Sequence, residues 1–174
     1  MENKGLIMVH TGHGKGKTTA ALGLALRALG HGFPVCVIQF IKGNWKYGEL
    51  EAAERFPGLL EWHVAGEGFT WRGDDPDRHR KAAAAGWELA KSAIKSERYF
   101  LVILDEFTYV LKYGMIDEKE TAQILLQKPP SLHVLITGRD APESLLEIAD
   151  MATEMREVKH PFKIGVKAQK GVEF

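Results

Sequence analysis

Short apolar runs alternate with amphipathic stretches along nearly the whole chain. Most of these runs are continuously apolar, which is typical of strands buried on both faces of a parallel sheet. They predict strands at residues 5–10, 34–40, 59–65, 99–106 and 133–137, and they favour a sixth strand at 153–158.

The stretches between these runs predict helices, and two of them carry an apolar face at helical spacing. The first covers 17–29 and ends at Gly30, with a predicted buried face of Leu22, Ala25, Leu26 and Leu29. The second begins at Asp75-Pro76, a favourable N-cap and first position, with a predicted buried face of Ala83, Trp87, Ala90 and Ile94. Shorter helical segments are predicted at 49–56, 107–113, 117–126 and 142–149.

The regular alternation of strands and helices predicts an α/β fold. Right-handed crossovers between successive strands give a mainly parallel sheet, here of about six strands with helices on both faces. No internal repeat or linker interrupts the pattern, and 174 residues suit one core, so we expect a single domain over 1–174.

The turn between the first strand and the first helix is rich in glycine. It reads Thr11-Gly12-His13-Gly14-Lys15-Gly16-Lys17-Thr18-Thr19. Glycines let the backbone wrap closely with its N–H groups inward, and the helix N-terminus adds positive charge. We therefore expect this loop to bind the phosphates of a nucleotide, with Lys17 on the phosphates and Thr18 on Mg²⁺.

The loop departs from the common spelling G-x-x-x-x-G-K-[ST], because Thr11 stands where the first glycine would be. A glycine turn that merely joins a strand to a helix is the alternative. A second pattern favours phosphate binding: the apolar strand at 99–106 ends in Asp105-Glu106. Such an acidic strand end, downstream of a phosphate loop, orders Mg²⁺ and its waters. Together the two patterns predict a P-loop NTPase fold.

Other candidate residues follow the predicted strands, where open α/β sheets bind ligands. Arg139 follows the fifth strand and is interpreted as a nucleotide ligand or a surface arginine. Arg27, on the first helix, carries the same two interpretations. Two glycine-flanked loops, at 41–49 and 66–73, contain aromatic residues that either cover a ligand or pack onto the core. Phe69 and Trp71 are the aromatic pair of the second loop.

Composition excludes several classes of function. The chain has 23 basic and 23 acidic residues, so no charge excess indicates nucleic-acid binding. Its single cysteine, Cys36, lies in an apolar run and is predicted to be a core residue in a reducing compartment. No signal peptide or membrane span is apparent, so we expect a cytoplasmic protein.

The motifs together resemble the P-loop-type ATP:corrinoid adenosyltransferases. The resemblance is carried by residues 11–19, 37–43, 68–71, 104–109, 137–139, 158–160 and 165–171. It implies transfer of the 5′-deoxyadenosyl group of ATP to the cobalt of a reduced corrinoid, such as cob(I)alamin or cobinamide, with release of triphosphate. The product from cobalamin is adenosylcobalamin. The short phosphate loop, irregular by the common spelling, is ordinary in that family.

The resemblance also implies details of the site. Lys15, Lys17, the loop amides and Mg²⁺ would stabilise the leaving triphosphate. Thr18 would ligate the metal with Glu106 or Asp105, of which we favour Glu106. Phe69 and Trp71 would occupy the lower face of the corrinoid while a flavoprotein reduces its cobalt.

On the scale of the whole protein, the resemblance implies a RecA-like sheet of five parallel strands and one antiparallel strand, and a homodimer. Several members have a helical N-terminal extension over the site. Because the first strand here is predicted to begin at Gly5, we expect most of that cover to be absent, which leaves the enclosure of the corrinoid open. The alternatives from other classes are a RecA-like ATPase or ATP-binding module acting on a partner, and a nucleoside or small-molecule kinase.

Overall fold

All six predicted strands are present in one sheet. A computed structural model of the chain describes residues 4–41, 47–66 and 76–173, and the strand order is β3-β2-β4-β5-β1-β6. The strands are β1 (Ile7–Thr11), β2 (Val35–Gln39), β3 (Leu60–Val64), β4 (Leu101–Asp105), β5 (His133–Thr137) and β6 (Met151–Glu154). This is the P-loop α/β architecture that the alternating pattern predicts.

Six α-helices connect the strands within the described residues. They are α1 (Lys17–Gly30), α2 (Gly48–Ala53), α3 (Pro76–Lys95), α4 (Phe107–Lys112), α5 (Glu118–Leu126) and α6 (Glu143–Ile148). A 3₁₀ turn follows at Pro161–Ile164. No helix among the described residues is long and apolar enough to cross a membrane.

The last strand differs from two expectations. It covers Met151–Glu154 rather than 153–158. It pairs parallel to β1, so the one antiparallel strand that the resemblance implied is not found among the six strands. The pairing ends early because its neighbour β1 ends at Thr11, where the chain turns into the glycine-rich loop. The direction follows from α6, which carries the chain from β5 back past β1 before β6 begins. All five strand pairs are therefore parallel.

The two faces of the sheet are covered unequally. Helix α3 buries Ala83, Trp87, Ala90 and Ile94, as its pattern predicts, and packs with α4, α5 and α6 on one face. Helix α1 packs on the other face. It buries Ala21, Ala25, Ala28 and Leu29, whereas Leu26 is 60% exposed, so the predicted face was wrong at that position. Three alanines bring the helix close to the sheet, and this close packing outweighs burial of one more leucine.

Parallel pairing places the carboxyl ends of all strands at one edge of the sheet. Gln39 of β2 lies in register with Asp105 of β4, and His10 of β1 with Thr137 of β5. This edge carries the glycine-rich loop and the acidic strand end. That residues 1–174 form a single domain stays a prediction, which the shared sheet supports.

Candidate nucleotide-binding site

The glycine-rich loop needs glycine for its shape. Gly12 and Gly16 have φ angles of 94° and 109°, a region that side chains disfavour. A Cβ atom on Gly12 or Gly14 would lie 2.5 or 2.6 Å from the carbonyl oxygen of Met155. The N–H of Gly14 donates to that same oxygen at 2.6 Å. The loop therefore packs directly against the backbone of the residue that follows β6.

Lys17 is the first residue of α1, and only 6% of it is exposed. Its Nζ atom donates to the carbonyl oxygens of Gly12 and Gly14, each at 2.8 Å. Burial lowers the pKa of this ammonium group, while the charge of Glu106 opposes that shift. The loop thus wraps around the ammonium group of Lys17, which lies on the concave side of the loop. This is the position expected of a phosphate ligand.

Asp105 is the centre of a buried hydrogen-bond network. Its Oδ1 atom accepts from the hydroxyl groups of Thr18 at 2.8 Å and Thr137 at 2.7 Å. Its Oδ2 atom accepts from Nε2 of Gln39 at 3.0 Å. Both carboxylate oxygens are therefore engaged by protein donors, and the side chain is 1% exposed.

Glu106 points in another direction. Its backbone is left-handed, with φ 58°, and its N–H donates to the hydroxyl of Thr137 at 2.9 Å. A non-glycine residue in this region costs on the order of 1–3 kcal/mol, and such strain concentrates at functional sites. The conformation turns β4 directly into α4 and places Glu106, but not Asp105, in the lining of the cavity above the loop.

Arg139 reaches the same cavity from the end of β5. The preceding Gly138 has a φ angle of 143°, and a Cβ atom there would lie 2.0 Å from Oγ1 of Thr108. That hydroxyl donates to the carbonyl oxygen of Arg139 at 2.6 Å. Since the arginine charge also helps to lower the pKa of Lys17, the two cations lie within electrostatic reach of each other.

The cavity has a volume of about 570 Å³. Besides the residues above, its lining includes five residues of the C-terminal segment that sequence analysis did not assign to the site. They are Glu157, His160, Gly171, Val172 and Glu173. Glu173 forms an ion pair with Lys15 of the phosphate loop. Because these two positions lie 158 residues apart in sequence, local pattern could not reveal the contact.

The other predicted residues, apart from Arg27, divide into three groups. His13, Gly14, Lys15, Gly16 and Thr19 line the cavity with Lys17 and Thr18, and Nε2 of His13 lies 2.9 Å from Oδ1 of Asp140. Gly12 contributes its carbonyl oxygen to Lys17. Phe69 and Trp71, together with residues 42–46, lie outside the described residues.

Arg27 lies outside the lining of this cavity. It lies in the last turn of α1, about 15 Å along the helix from Lys17 at 1.5 Å per residue. There it lines a separate cavity of about 230 Å³ with Phe33 and Phe100, near the amino ends of β1, β4 and β5. This placement gives no support to a nucleotide contact by Arg27, which stays a prediction.

A cation would find few protein ligands in the cavity. No group of three or more histidine, cysteine or acidic side chains in the described part of the chain is arranged to hold a metal ion. Thr18 and Glu106 nevertheless offer a hydroxyl and a carboxylate oxygen in the cavity lining. This set suits Mg²⁺, which takes one or two protein oxygens and completes its shell with phosphates and water.

The fold and the site together define a P-loop nucleotide-binding protein. Comparison with known families is more specific: the model of the family described as ATP:corrinoid adenosyltransferase BtuR/CobO/CobP matches residues 3–174. The chain belongs to this family. The resemblance seen in its motifs is thereby confirmed, as is the predicted enzymatic activity, adenosyl transfer from ATP to a corrinoid.

Individual relatives agree with this membership. The chain is 47% identical to the corrinoid adenosyltransferase of Sinorhizobium sp, over 99% of this chain and 82% of that protein. It is 44% identical to the corrinoid adenosyltransferase of Pseudomonas aeruginosa, over 99% and 85%. With that of Escherichia coli (strain K12) the identity is 43%, over 99% and 87%.

Proposed function

We propose that the cavity above the phosphate loop binds the triphosphate of ATP during adenosyl transfer to a reduced corrinoid. The observation that carries this proposal is the convergence of Lys17, Thr18, Glu106 and Arg139 on one cavity. Two cations and the loop amides suit a polyanion. The hydroxyl and the carboxylate suit its metal ion.

The chemistry requires no nucleophilic side chain. The cobalt of cob(I)alamin supplies the electron pair of the new Co–C5′ bond, and the C5′–O5′ bond breaks. Triphosphate leaves with the electron pair of the broken bond. The task of this chain is then to stabilise charge that develops on the leaving oxygen, which fixed cations and backbone N–H groups do well. Lys17 and Lys15 are proposed for that role.

We propose Thr18 and Glu106 as the protein ligands of Mg²⁺. Bound there, the cation would neutralise part of the triphosphate charge. Asp105 is proposed to act through Thr18, because both of its carboxylate oxygens already accept protein hydrogen bonds. This arrangement supports the preference for Glu106 over Asp105 that the sequence left open.

Product analysis tests the proposal. The chain is incubated with ATP and Mg²⁺, with and without chemically reduced cob(I)alamin, and the phosphate products are separated by ion-exchange chromatography. Triphosphate in equal amount to adenosylated corrinoid is expected, with Lys17→Ala as the matched inactive control. ADP with phosphate would indicate an ATPase instead, and ADP with a phosphorylated acceptor would indicate a kinase.

A second proposal concerns Phe69 and Trp71, which lie outside the described residues. Aromatic rings that displace the lower axial ligand of cob(II)alamin would ease its reduction by a flavoprotein. Phe69→Ala and Trp71→Ala should then lose activity mainly in assays that start from cob(II)alamin with a flavoprotein donor. Equal losses with chemically prepared cob(I)alamin would contradict this role.

Assembly and location remain proposals as well. A homodimer is carried over from the family resemblance, and sedimentation equilibrium measures it directly. A cytoplasmic location is supported by Cys36, which is buried with a free thiol, as in proteins of reducing compartments. The balanced charge gives no support to nucleic-acid binding.

A further inference from the structure

We propose that Gln39 is a positioning residue of the active site, which holds Asp105 and, through it, the hydroxyl of Thr18 in the orientation that a metal ion needs. The inference rests on the proposed role of Thr18 as a ligand of Mg²⁺. It adds a member to the site from β2, a strand that contributes no residue to the phosphate loop or to the acidic strand end.

Gln39 is placed for this role by the sheet. It ends β2, lies in register with Asp105 on the neighbouring strand β4, and is 1% exposed. A carboxamide so deeply buried must have its hydrogen bonds satisfied within the protein, because an unmet one costs about 1–3 kcal/mol. Its partners therefore determine how it is held.

The partners fix the amide in one orientation. Trp62 on β3 donates from Nε1 to Oε1 of Gln39 at 3.1 Å, and an indole N–H can only donate. The carboxylate of Asp105 lies on the opposite side, 3.0 Å from Nε2, and accepts. Exchange of the amide oxygen and nitrogen would bring like groups together on both sides. Gln39 must therefore present its N–H to Asp105.

Tyr47 reinforces this orientation and links it to the cavity wall. Its hydroxyl donates to Oε1 of Gln39, and burial raises the pKa of this phenol to about 12, so it keeps its proton. Tyr47 directly precedes α2, whose first residues Gly48 and Glu49 line the cavity. The same amide thus connects one wall of the cavity to the carboxylate of Asp105.

Asp105 passes this constraint to Thr18. With Oδ2 held by Gln39, Oδ1 lies 2.8 Å from the Thr18 hydroxyl and 2.7 Å from that of Thr137. The proton of the Thr18 hydroxyl then points to Asp105, which leaves the oxygen lone pairs for a cation. Without Gln39 the carboxylate could rotate. Residues that orient a metal ligand commonly contribute about 10–100-fold to metal affinity.

The test compares Gln39→Met, which keeps length but removes both hydrogen-bonding groups, with Thr121→Val. Thr121 is also 1% exposed, and its hydroxyl donates to the carbonyl oxygen of Asp117 at 2.8 Å on α5, outside the cavity lining. The Mg²⁺ concentration is varied, and two quantities are measured at each concentration. They are the rate of adenosylation of cob(I)alamin, and the rise in melting temperature that ATP causes in the absence of corrinoid. Gln39→Met should raise the half-saturating Mg²⁺ concentration about tenfold in both, and Thr121→Val should leave it at the wild-type value.

A second set of variants keeps the test decisive if Gln39→Met fails to fold. Tyr47→Phe and Trp62→Phe each remove one donor to Oε1, and the double variant removes both. The double variant should raise the half-saturating concentration by about threefold, more than the product of the single effects, because either donor alone holds the amide.

The outcomes separate the two proposals. An unchanged Mg²⁺ requirement in Gln39→Met, or in the double variant if Gln39→Met does not fold, overturns the inference while the metal site stands. A wild-type chain whose activity and ATP stabilisation are independent of Mg²⁺ overturns the metal proposal and this inference together.

Discussion

Two walls of the proposed nucleotide cavity are built in different ways. One wall, called the sheet-borne wall below, is formed by residues at the ends of β1, β4 and β5. Buried hydrogen bonds hold its side chains in place, such as those that Asp105 accepts. The other wall, called the C-terminal wall below, is formed by the segment after β6. Its contacts include two ion pairs between partly exposed groups, Lys15–Glu173 and Lys163–Glu157. Exposed ion pairs are individually weak, about 0–1 kcal/mol.

This difference suits the two walls to two different tasks, stabilisation of the leaving group and binding of the nucleotide. Stabilising a leaving group requires charges that are already in place, which a buried network provides. A wall closed by exposed ion pairs can instead exchange those contacts for contacts to a ligand at little cost. We therefore expect substitutions in the sheet-borne wall to impair catalysis strongly, and substitutions in the C-terminal wall to alter mainly nucleotide affinity.

The largest effect is expected for Lys17→Ala. The ammonium group is removed from the loop, whereas the two carbonyl oxygens it bonds can be solvated from the cavity. Adenosylation should fall at least tenfold in kcat/KM, about 1.4 kcal/mol of transition-state stabilisation. The fold should persist by circular dichroism. Retention of more than a tenth of the wild-type kcat/KM would remove Lys17 from the leaving-group role.

A second contrast lies within the sheet-borne wall. Glu106→Gln keeps the side-chain shape but weakens the proposed metal ligand, so the Mg²⁺ requirement should rise while the melting temperature changes little. Asp105→Asn places an amide among three donors and should destabilise the fold by about 1–3 kcal/mol, measured by urea unfolding. A large Mg²⁺ shift in Asp105→Asn alongside an unchanged Glu106→Gln would reassign the metal to Asp105.

A smaller effect is expected for Glu173→Gln in the C-terminal wall. The substitution releases Lys15 from its ion pair. The gain available to a bound nucleotide is then about 0–1 kcal/mol, which should appear as a modest decrease in KM for ATP with no loss of kcat. A tenfold or greater loss of kcat would show that this wall takes part in the chemical step.

The smallest effect is expected for Lys163→Ala, which removes the ion pair with Glu157. That pair holds the pKa of Glu157 below its ordinary value. The ion pair therefore stabilises the fold at pH values above the ordinary glutamate pKa. This stabilisation is lost as the pH falls through the lowered pKa of Glu157. Thermal unfolding of variant and wild type should differ slightly at neutral pH and coincide at low pH. A difference that persists there would indicate another role for Lys163.

The sequence predicted the sheet-borne wall better than the C-terminal wall, for a physical reason. The phosphate loop and Asp105-Glu106 are short motifs, each set by local backbone requirements such as the positive φ of Gly12 and Gly16. Their pairing in space follows from parallel topology, which the alternation of strands and helices already indicates.

The missed residues depend on contacts distant in sequence. Gln39 joins the site only because β2 lies next to β4 in the sheet, and Glu173 only because the C-terminal segment returns to the loop. Neither neighbour is encoded in local periodicity. The wrong prediction that Leu26 is buried has a similar cause. Close packing of alanines against the sheet sets the rotation of α1 about its axis, and this packing also depends on contacts distant in sequence.

Calorimetric titration of the chain with inorganic triphosphate, in the presence and absence of Mg²⁺, tests the central claim most directly, since it requires neither corrinoid nor reductant. We expect Mg²⁺-dependent binding to wild type, a loss of at least tenfold in affinity for Lys17→Ala, about 1.4 kcal/mol, and no loss for Glu173→Gln. Equal affinity of wild type and Lys17→Ala would contradict the assignment of this cavity as the triphosphate site.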